Sequence, residues 1–396
     1  MVDVEKVITD AKTQIDIVDF IGRDIELSTE DNNVYYGKCP NCNKIISVIK
    51  DTQTFICCNC GFAGDIFNYL TTKHNYLTAI DILLKETKSE YTIDDIKSSI
   101  EKDDSNILNL LNKEAAIFFY VTLRSNIGKE GMKYYLNERK LTKATIDKFG
   151  LGFAPFGKEL LHKKLLEKGY TDEMLKNSSL VKFFDDGNIQ DKFRNRVMVP
   201  ISDENGRVIA FGGRMLKEKK KDDPTPKYLN SAETKVFDKG KTLFALNFAK
   251  DSKREGFILC EGYLDVISMH QAGFDNSIAS LGTALTIKHA NLIKKYRKDV
   301  YLAYDMDGPG RTATKKNIDT LKKAGLNLKI IDMSPVKDPD EFLKKFGKDE
   351  FEKRIQNAKS VQEFIVEYYK SKMDECEDDA EMEKIRTDLC IELANF

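Results

Sequence analysis

The stretch FILCEGYLDV, residues 257–266, decides the fold, because a short β-prone run, FILC, passes directly into a helical pattern. The same alternation recurs along the chain, where the runs SIAS (277–280), VYLAYD (300–305) and LKIIDM (328–333) are separated by helical stretches. Strands that alternate with helices are typical of a parallel sheet covered by helices on both faces. The sequence therefore predicts a doubly wound parallel sheet.

Acidic side chains follow two of these strands. Glu261 comes directly after FILC, and Asp305 and Asp307 come at and after the end of VYLAYD. In an open parallel sheet ligands bind outside the carboxyl ends of the strands, and residues i and i+2 of an extended chain share a face. Clustered carboxylates repel one another unless cations lie between them, and oxygen ligands favour Mg²⁺ or Mn²⁺. We therefore expect these three acids to meet around divalent cations.

Three further acids extend this group. Asp265 lies four residues after Glu261, near the start of the next predicted helix, where it can face the same crevice. Asp338 and Asp340 repeat the D-x-D spacing after LKIIDM. Because aspartates also cap helix N-termini, both roles stay open for these residues.

Four cysteines form two C-x-x-C pairs. Cys39 and Cys42 make the first pair, and Cys57 and Cys60 make the second after fourteen intervening residues, with Cys58 as a spare thiol. Four thiolates fill a tetrahedral zinc shell and leave no open position, so such a zinc is structural. Half-buried cysteines without a metal are the alternative, and two correctly spaced pairs argue against it. The sequence predicts one structural Zn²⁺ per chain.

A basic segment lies between the cysteines and the acids. Residues 192–254 carry sixteen Lys or Arg against eight Asp or Glu, although the whole chain has a net charge of -1. Guanidinium and ammonium groups bind phosphate oxygens, and aromatic rings stack on bases. The candidate nucleotide-binding and template-binding residues are Lys192, Arg194, Arg196, Arg214, Lys227, Tyr228 and Lys239. The run Lys217 to Lys221 is interpreted as a solvated loop.

Length and composition set the class of protein. A chain of 396 residues with 41% hydrophobic and 32% charged residues is typical of a globular protein of two or three domains. The first residues lack a signal-peptide pattern and no long apolar run occurs, so we expect a cytoplasmic protein that does not bind a membrane. Patterning predicts helices over 4–20 and 65–86, a polar linker near 87–105, a hairpin around DENG (203–206) and a helical tail over 341–396.

Several separate motifs resemble one known family in the same order. They are CPNC, CCNCGFAGD, LNERKLTKATIDKFGLGFAP, DKFRNRVMVPISDENGRVIAFGGR, PKYLNSAET, CEGYLDV, ASLGTALT, YDMDGPGR and KDPDEF. Together they make residues 1–370 similar to the bacterial DnaG-type DNA primases. Ordered matches of this kind are far more specific than any single motif.

The resemblance implies an α+β multidomain fold. An N-terminal zinc ribbon is followed by a mixed α/β polymerase domain around a central TOPRIM doubly wound parallel sheet, and by a helical C-terminal tail. The implied domains are a zinc-binding domain, a basic part of the polymerase domain, a TOPRIM metal-binding core and a helical subdomain. Their predicted bounds are 1–100, 106–254, 255–340 and 341–396.

The resemblance also implies residue roles. The family's metal-binding acids match Glu261, Asp305 and Asp307, with Asp265, Asp338 and Asp340 as further acidic positions. Its basic residues for nucleotide and template match Arg194, Arg196, Lys227 and Lys239, and its zinc ligands match Cys39, Cys42, Cys57 and Cys60. Two positions depart from the family pattern. The second zinc ligand is usually a histidine and is Cys42 here, and the usual D-G-D is D-M-D here, with Met306 in the middle.

The implied activity is synthesis of short RNA primers on a single-stranded DNA template. Ribonucleoside triphosphates are joined by two-metal nucleotidyl transfer that gives an RNA–DNA hybrid, and the enzyme is expected to act as a monomer, associated with the nucleoid during replication. Family members usually end in a helicase-binding helical domain. This chain stops at Phe396, so docking to a replicative helicase stays open.

Two alternatives remain at this stage. A nuclease with the same TOPRIM acids would cleave nucleic acid, and a non-catalytic zinc-ribbon protein would only bind single strands. A type IA topoisomerase is another TOPRIM enzyme, but it needs a tyrosine nucleophile in a large extra domain. The chain has no room for such a domain, so this enzyme is not kept as an alternative. Template-dependent incorporation of ribonucleotides separates the primase from these alternatives.

Overall fold

The computed structural model describes residues 2–29, 31–60, 62–74, 76–102, 104–216, 225–282, 284–304 and 308–394, with the main chain alone at 101–102 and 308–313. They form two compact units. The first unit comprises residues 1–131, 152–198 and 213–236, and the second comprises 132–151, 199–212 and 237–396.

Helices occur in both units. In chain order they are α1 (Val4–Thr13), α2 (Ile17–Ile21), α3 (Ile66–Lys73), α4 (Tyr76–Glu86), α5 (Ile93–Lys102), α6 (Ser105–Arg124), α7 (Lys129–Lys133), α8 (Lys143–Lys148), α9 (Leu160–Glu167), α10 (Asp172–Leu175), α11 (Leu246–Ala249), α12 (Tyr263–Gln271), α13 (Ile287–Tyr296), α14 (Gly308–Lys323), α15 (Pro339–Gln356), α16 (Val361–Asp374) and α17 (Asp379–Ala394). A 3-10 turn spans Asn126–Gly128 and a π-helical turn spans Tyr134–Glu138.

Strands are short throughout. In chain order they are β1 (Ser28–Thr29), β2 (Val34–Lys38), β3 (Ile45–Ile49), β4 (Thr54–Ile56), β5 (Ala63–Gly64), β6 (Gly152–Ala154), β7 (Val181–Phe183), β8 (Ile189–Asp191), β9 (Arg196–Ser202), β10 (Val208–Met215), β11 (Tyr228–Asn230), β12 (Phe257–Cys260), β13 (Ser277–Ala279), β14 (Asp299–Ala303), β15 (Asn327–Ile330) and β16 (Lys359–Ser360).

An antiparallel sheet in the order β1-β2-β3-β4-β5 carries the cysteines. Along β3, the buried Ile46 and Val48 alternate with more exposed residues, as expected for a sheet with one packed face. Phe55 of β4 packs against Tyr69 of α3, with 5.8 Å between their ring centroids. This small core holds the turns that present the cysteines.

Two N-terminal predictions need correction. The helix predicted over 4–20 is two helices, because Asp16 is an N-cap whose carboxylate accepts the backbone N–H of Val18 and starts α2 afresh. The polar linker predicted near 87–105 contains α5, in which Ile96 and Ile100 are buried. Apolar residues four apart give α5 a packed face despite its polar composition.

The DENG hairpin is confirmed. It joins β9 and β10, and Asp203 Oδ1 accepts the backbone N–H groups of Asn205 and Arg207 across the turn. The sheet that contains it has the strand order β11-β10-β9-β6. The Lys217–Lys221 run lies outside the described residues.

The central sheet of the second unit confirms the predicted parallel architecture. Its order is β13-β12-β14-β15-β16, and β12 pairs in parallel with β13 and β14, as β14 does with β15. The edge strand β16 is antiparallel to β15, which the sequence analysis missed. Since β12 lies between β13 and β14, the chain crosses over within the sheet, and a crevice forms at such a point.

Helices cover both faces of this sheet. Phe257 and Leu259 of β12 face a core that also contains residues of α13, α14 and α16. On the other face, α12 packs against α15, and Phe274, three residues after the end of α12, contacts Phe351 of α15 with 4.8 Å between ring centroids. This layering confirms the doubly wound prediction. The helical tail is also confirmed, as α15, α16 and α17.

None of the helices in the described part of the chain is long and apolar enough to cross a membrane.

Candidate functional site

The four predicted zinc ligands form one cluster in the first unit. The sulfurs of Cys39, Cys42, Cys57 and Cys60 all lie within 4.8 Å of one another, with 3.7 Å between the first and last and 3.6 Å between the middle two. A tetrahedral zinc with Zn–S bonds of about 2.3 Å requires sulfurs about 3.8 Å apart. The cluster therefore has the dimensions of a structural zinc site.

Each pair of ligands sits on a matching turn. The backbone N–H of Cys39 donates to Lys44 O at 2.7 Å, and that of Cys57 donates to Phe62 O at 2.7 Å. Backbone hydrogen bonds from Cys60 and then Asn59 lower the pKa of the Cys57 thiol to about 7, against the opposing effect of burial. Burial raises the pKa of the Cys39 and Cys60 thiols in the same cluster, so a bound cation is needed to keep all four side chains as thiolates at neutral pH. Cys58 is exposed and lies outside the cluster.

In the second unit, Glu261 lies where the sequence predicts, at the carboxyl end of β12. Cys260 of β12 is paired with Ala303 of β14, so the next residues along these neighbouring strands are Glu261 and Tyr304. Burial, and then the charge of Glu261, raise the pKa of the Tyr304 phenol well above its usual range. Glu261 therefore lies beside the end of β14, from which the D-M-D segment continues.

Asp305, Met306 and Asp307 lie outside the described residues. The parallel pairing of β12 and β14 is described up to Cys260 and Ala303. Both strands therefore end at one edge of the sheet. The meeting of Glu261 with the two aspartates stays a prediction.

Asp265 lies in the first turn of α12, beside the segment that carries Glu261. A Cβ atom at Gly262 would lie only 2.7 Å from Asp265 Oδ2, so the Asp265 carboxylate folds back over Gly262. Glycine at 262 leaves room for this carboxylate. Gly262 is the N-cap of α12, so Asp265 does not have the capping role weighed for it, although the helix dipole stabilises a carboxylate in the first turn. Its contact with a cation stays a prediction.

The two acids of the KDPD motif have different surroundings. Asp338 is the N-cap of α15, and its Oδ1 accepts the backbone N–H of Glu341 at 2.7 Å. Asp340 is 5% exposed. Its Oδ1 accepts a hydrogen bond from Ser268 at 2.6 Å, and its Oδ2 accepts from Arg139 at 2.9 Å and from Lys344 at 2.7 Å.

Arg139 and Ser268 are residues that the sequence analysis did not single out. Arg139 lies in the LNERK motif, 201 residues from Asp340, and nothing local signals their pairing. The partnership with Lys344 does have a local signal, because the two residues are four apart on one helix. Since three side chains occupy the Asp340 carboxylate, its evident role is to fix α15 against α12 and the 134–139 turn.

Arg196, predicted to bind nucleotide or template, is buried in the first unit. Its guanidinium donates to the carbonyl oxygens of Pro226, Lys227 and Gly213 at 2.7, 3.0 and 3.1 Å. These bonds hold the chain that leads into β11. Arg196 therefore fixes the backbone of Lys227, and its charge compensates main-chain oxygens.

The other predicted basic-segment residues lie nearer the surface. In the first unit, Arg194, Lys227 and Tyr228 are exposed, Arg214 is half-buried, and Lys192 is half-buried with its Nζ 2.8 Å from Ser179 Oγ. In the second unit, Lys239 is half-buried in a turn before α11. The exposed set has the chemistry of a phosphate and base surface.

Three family models match successive parts of the chain. The CHC2 zinc finger matches residues 4–99, the N-terminal domain of the DNA primase catalytic core matches 118–250, and a Toprim-like domain matches 258–343. The first covers the cysteine cluster and the third covers Glu261 and the parallel sheet. Cys42 stands where the family name implies a histidine, and a four-cysteine shell is equally suitable for zinc.

Curated relatives agree with these matches. A DNA primase of Clostridium acetobutylicum is 38% identical over 91% of this chain and 60% of its own length. A DNA primase of Aquifex aeolicus is 34% identical over 93% of this chain and 72% of its own length. The chain spans 57–62% of the length of the first five such relatives.

Solved structures give the same result. The crystal structure of the zinc-binding and RNA polymerase domains of the Aquifex aeolicus primase matches with a TM-score of 0.71 and 29% identity, covering 99% of this chain and 97% of that one. A DnaG primase catalytic domain bound to single-stranded DNA matches with a TM-score of 0.62 and 29% identity over 72% of this chain and 98% of that one. The zinc ribbon, the catalytic core and the Toprim sheet are thus present in one order, and the chain belongs to the bacterial DnaG-type DNA primase family.

Proposed function

We propose that this chain is a DNA primase, a nucleotidyltransferase that synthesises short RNA primers on single-stranded DNA. The observation that carries the proposal is the position of Glu261 at the carboxyl end of β12, beside β14, which leads into the D-M-D segment. In an open parallel sheet this edge is where ligands bind. The family, to which the sequence and fold both point, supplies the nucleic-acid context.

We assign the divalent-cation site to Glu261, Asp305 and Asp307. Asp265 and Asp338 are the further acids of this proposed site. Oxygen-only donors fit Mg²⁺ or Mn²⁺, which when bound would neutralise the reacting phosphates and lower the pKa of the attacking 3′-hydroxyl. Asp340, whose carboxylate is bonded to Ser268, Arg139 and Lys344, is assigned to positioning α15.

The basic residues bind the polyanionic substrates in this proposal. Arg194, Lys227 and Lys239 contact phosphates of template or triphosphate, and Tyr228, 45% exposed, offers a ring on which a base can stack. In the first unit, Lys192 and Arg214 are further phosphate-binding residues of this proposal, and the buried Arg196 fixes the backbone of Lys227. The substrates are ribonucleoside triphosphates, and the product is an RNA–DNA hybrid.

The cysteine cluster holds one structural zinc in this proposal. The ribbon sheet is too small to be stable by its own core, so zinc contributes folding free energy there. By resemblance, the ribbon helps to hold the template. The zinc does not take part in phosphoryl chemistry, because four cysteine ligands leave it no open position.

Incorporation of labelled ribonucleotides on a defined single-stranded template tests the proposal. The wild-type chain should make short RNA complementary to the template in the presence of Mg²⁺ or Mn²⁺. Glu261→Gln should lower the rate by about a hundredfold or more, since it removes charge from the cation site. Glu255→Gln is the matched control, because Glu255 is an exposed acid just before the amino end of the same strand.

The two alternatives give different outcomes in the same assay. A nuclease would shorten the template with the same dependence on Glu261. A binding protein would retain the template on a filter without incorporating ribonucleotides. Either outcome with the wild-type chain would contradict the proposed activity.

A further inference from the structure

The N-terminus of α13 holds a turn that carries Lys239. This turn, residues 238–242, is named the lysine turn here. It is closed by its own bonds, because Asp238 Oδ1 accepts the backbone N–H of Gly240 at 2.8 Å and Asp238 O accepts the Thr242 hydroxyl at 2.8 Å. Phe244 N, just after the turn, donates to Ala279 O of β13 at 2.8 Å. The lysine turn is therefore tied to the carboxyl end of a strand in the central sheet.

His289 in the first turn of α13 is completely buried and makes two directed hydrogen bonds. Its Nδ1 lies 3.2 Å from the backbone N of Thr286, and its Nε2 lies 2.8 Å from Lys239 O. A backbone N–H can only donate, so Nδ1 is the acceptor. The proton of the neutral ring is therefore on Nε2, which donates to the Lys239 carbonyl.

Two further contacts join the start of α13 to the lysine turn. The Thr286 hydroxyl donates to Gly240 O, and Lys288 Nζ lies 3.4 Å from Asp238 Oδ2. The Lys288 contact joins an exposed and a half-buried side chain at the surface, so it contributes little to stability. The buried His289 bond is different, because loss of the donor would leave a main-chain carbonyl without its partner.

We propose that His289 is a positioning residue, which fixes the backbone of Lys239 so that its ammonium group meets the triphosphate of the incoming ribonucleotide. The proposal rests on the proposed function. His289 does not contact substrate. It acts through Lys239, and displacement of a substrate-binding group weakens the binding that this group provides.

Two amide substitutions separate the two nitrogen atoms of the ring. His289→Gln places an amide N–H near the position of Nε2 and should keep the bond to Lys239 O. His289→Asn places an amide oxygen near Nδ1 and cannot reach Lys239 O. We expect His289→Gln to have nearly wild-type KM for ribonucleotides, and His289→Asn to raise KM by about tenfold with a much smaller change in kcat.

The Lys239→Ala background tests whether the effect passes through Lys239. In that background His289→Asn should change KM by less than about twofold, because residues that act as a unit are not additive. His270→Asn is the control for loss of a buried histidine, because His270 is 6% exposed and its Nε2 likewise bonds a carbonyl, Ser277 O, at 2.9 Å. It should lower Tm as His289→Asn does and leave KM unchanged.

Three results would overturn the proposal. They are an unchanged KM in His289→Asn, an equal rise in KM with Lys239 absent, and a rise of the same size in His270→Asn. Should His289→Asn fail to fold, the His289→Gln variant decides, since a raised KM with wild-type Tm contradicts the rescue. Failure of the wild-type chain to incorporate ribonucleotides would contradict the proposed function itself.

Discussion

At the scale of single residues, hydrogen-bond partners determine what an acidic side chain can do. Glu261 and Asp340 are both predicted metal-binding acids. Glu261 is half-exposed at the carboxyl end of β12, whereas Asp340 is buried among three hydrogen-bond donors. The sequence places both after strands of one sheet and cannot distinguish them. The distinction comes from Arg139 and Ser268, which are remote from Asp340 in sequence.

Asp340→Ala should destabilise the protein by about 3 kcal/mol, because it leaves a largely buried Arg139 without its carboxylate. Urea unfolding measures this change. Glu350→Ala is the control on the same helix, since the Glu350–Lys353 pair is exposed and should contribute less than about 0.5 kcal/mol. A stable Asp340→Ala protein that loses cation binding would show that Asp340 is a metal ligand instead.

His270 should make stability depend on pH. Burial lowers its pKa from the ordinary 6.5 to about 4. The unfolded chain then takes up a proton near pH 6.5, and the folded chain takes it up only near pH 4. The contribution of His270 to the free energy of unfolding is therefore fully present above pH 6.5. It falls by about 3 kcal/mol as the pH drops to 4.

Unfolding at several pH values tests this dependence. His270→Gln, which does not titrate, should lose that part of the acid sensitivity between pH 6.5 and 4. His74→Gln replaces an exposed histidine by the same amide and is the control for the substitution itself. Identical acid sensitivity in His270→Gln and wild type would contradict the explanation.

At the scale of elements, the zinc cluster allows a test at adjacent residues. Elemental analysis should find about one zinc per wild-type chain, and chelation should unfold the ribbon sheet. Cys57→Ser should lose the zinc, whereas Cys58→Ser should keep it, because Cys57 is one of the four clustered cysteines and Cys58 is not. Cys42→His should also keep it, since the ligand set is then one the family uses. Zinc retained in Cys57→Ser would contradict the assignment.

Most elements could be predicted where a local pattern is strong. The strand FILC and the DENG hairpin follow from an apolar run and from turn residues. The interruption at Asp16 was missed because the apolar spacing continues across the cap. Helix α5 was missed because its composition resembles a linker, and only the burial of Ile96 and Ile100 shows its packed face.

At the scale of the whole molecule, each compact unit is built from segments that are distant in sequence. Residues 132–151 belong to the unit of the central sheet, although they precede that sheet by about a hundred residues. Domain bounds drawn in chain order cannot express this arrangement, and the predicted bounds stay a prediction.

Binding of Mn²⁺ to the zinc-loaded chain, followed by electron paramagnetic resonance, tests most directly the claim that acids at the end of β12 and beyond β14 hold divalent cations. Glu261→Gln should weaken Mn²⁺ binding by at least about tenfold, because one charged oxygen ligand is lost. Glu255→Gln, just before the other end of the strand, should bind Mn²⁺ like wild type. Equal Mn²⁺ affinity in Glu261→Gln and wild type would contradict the account.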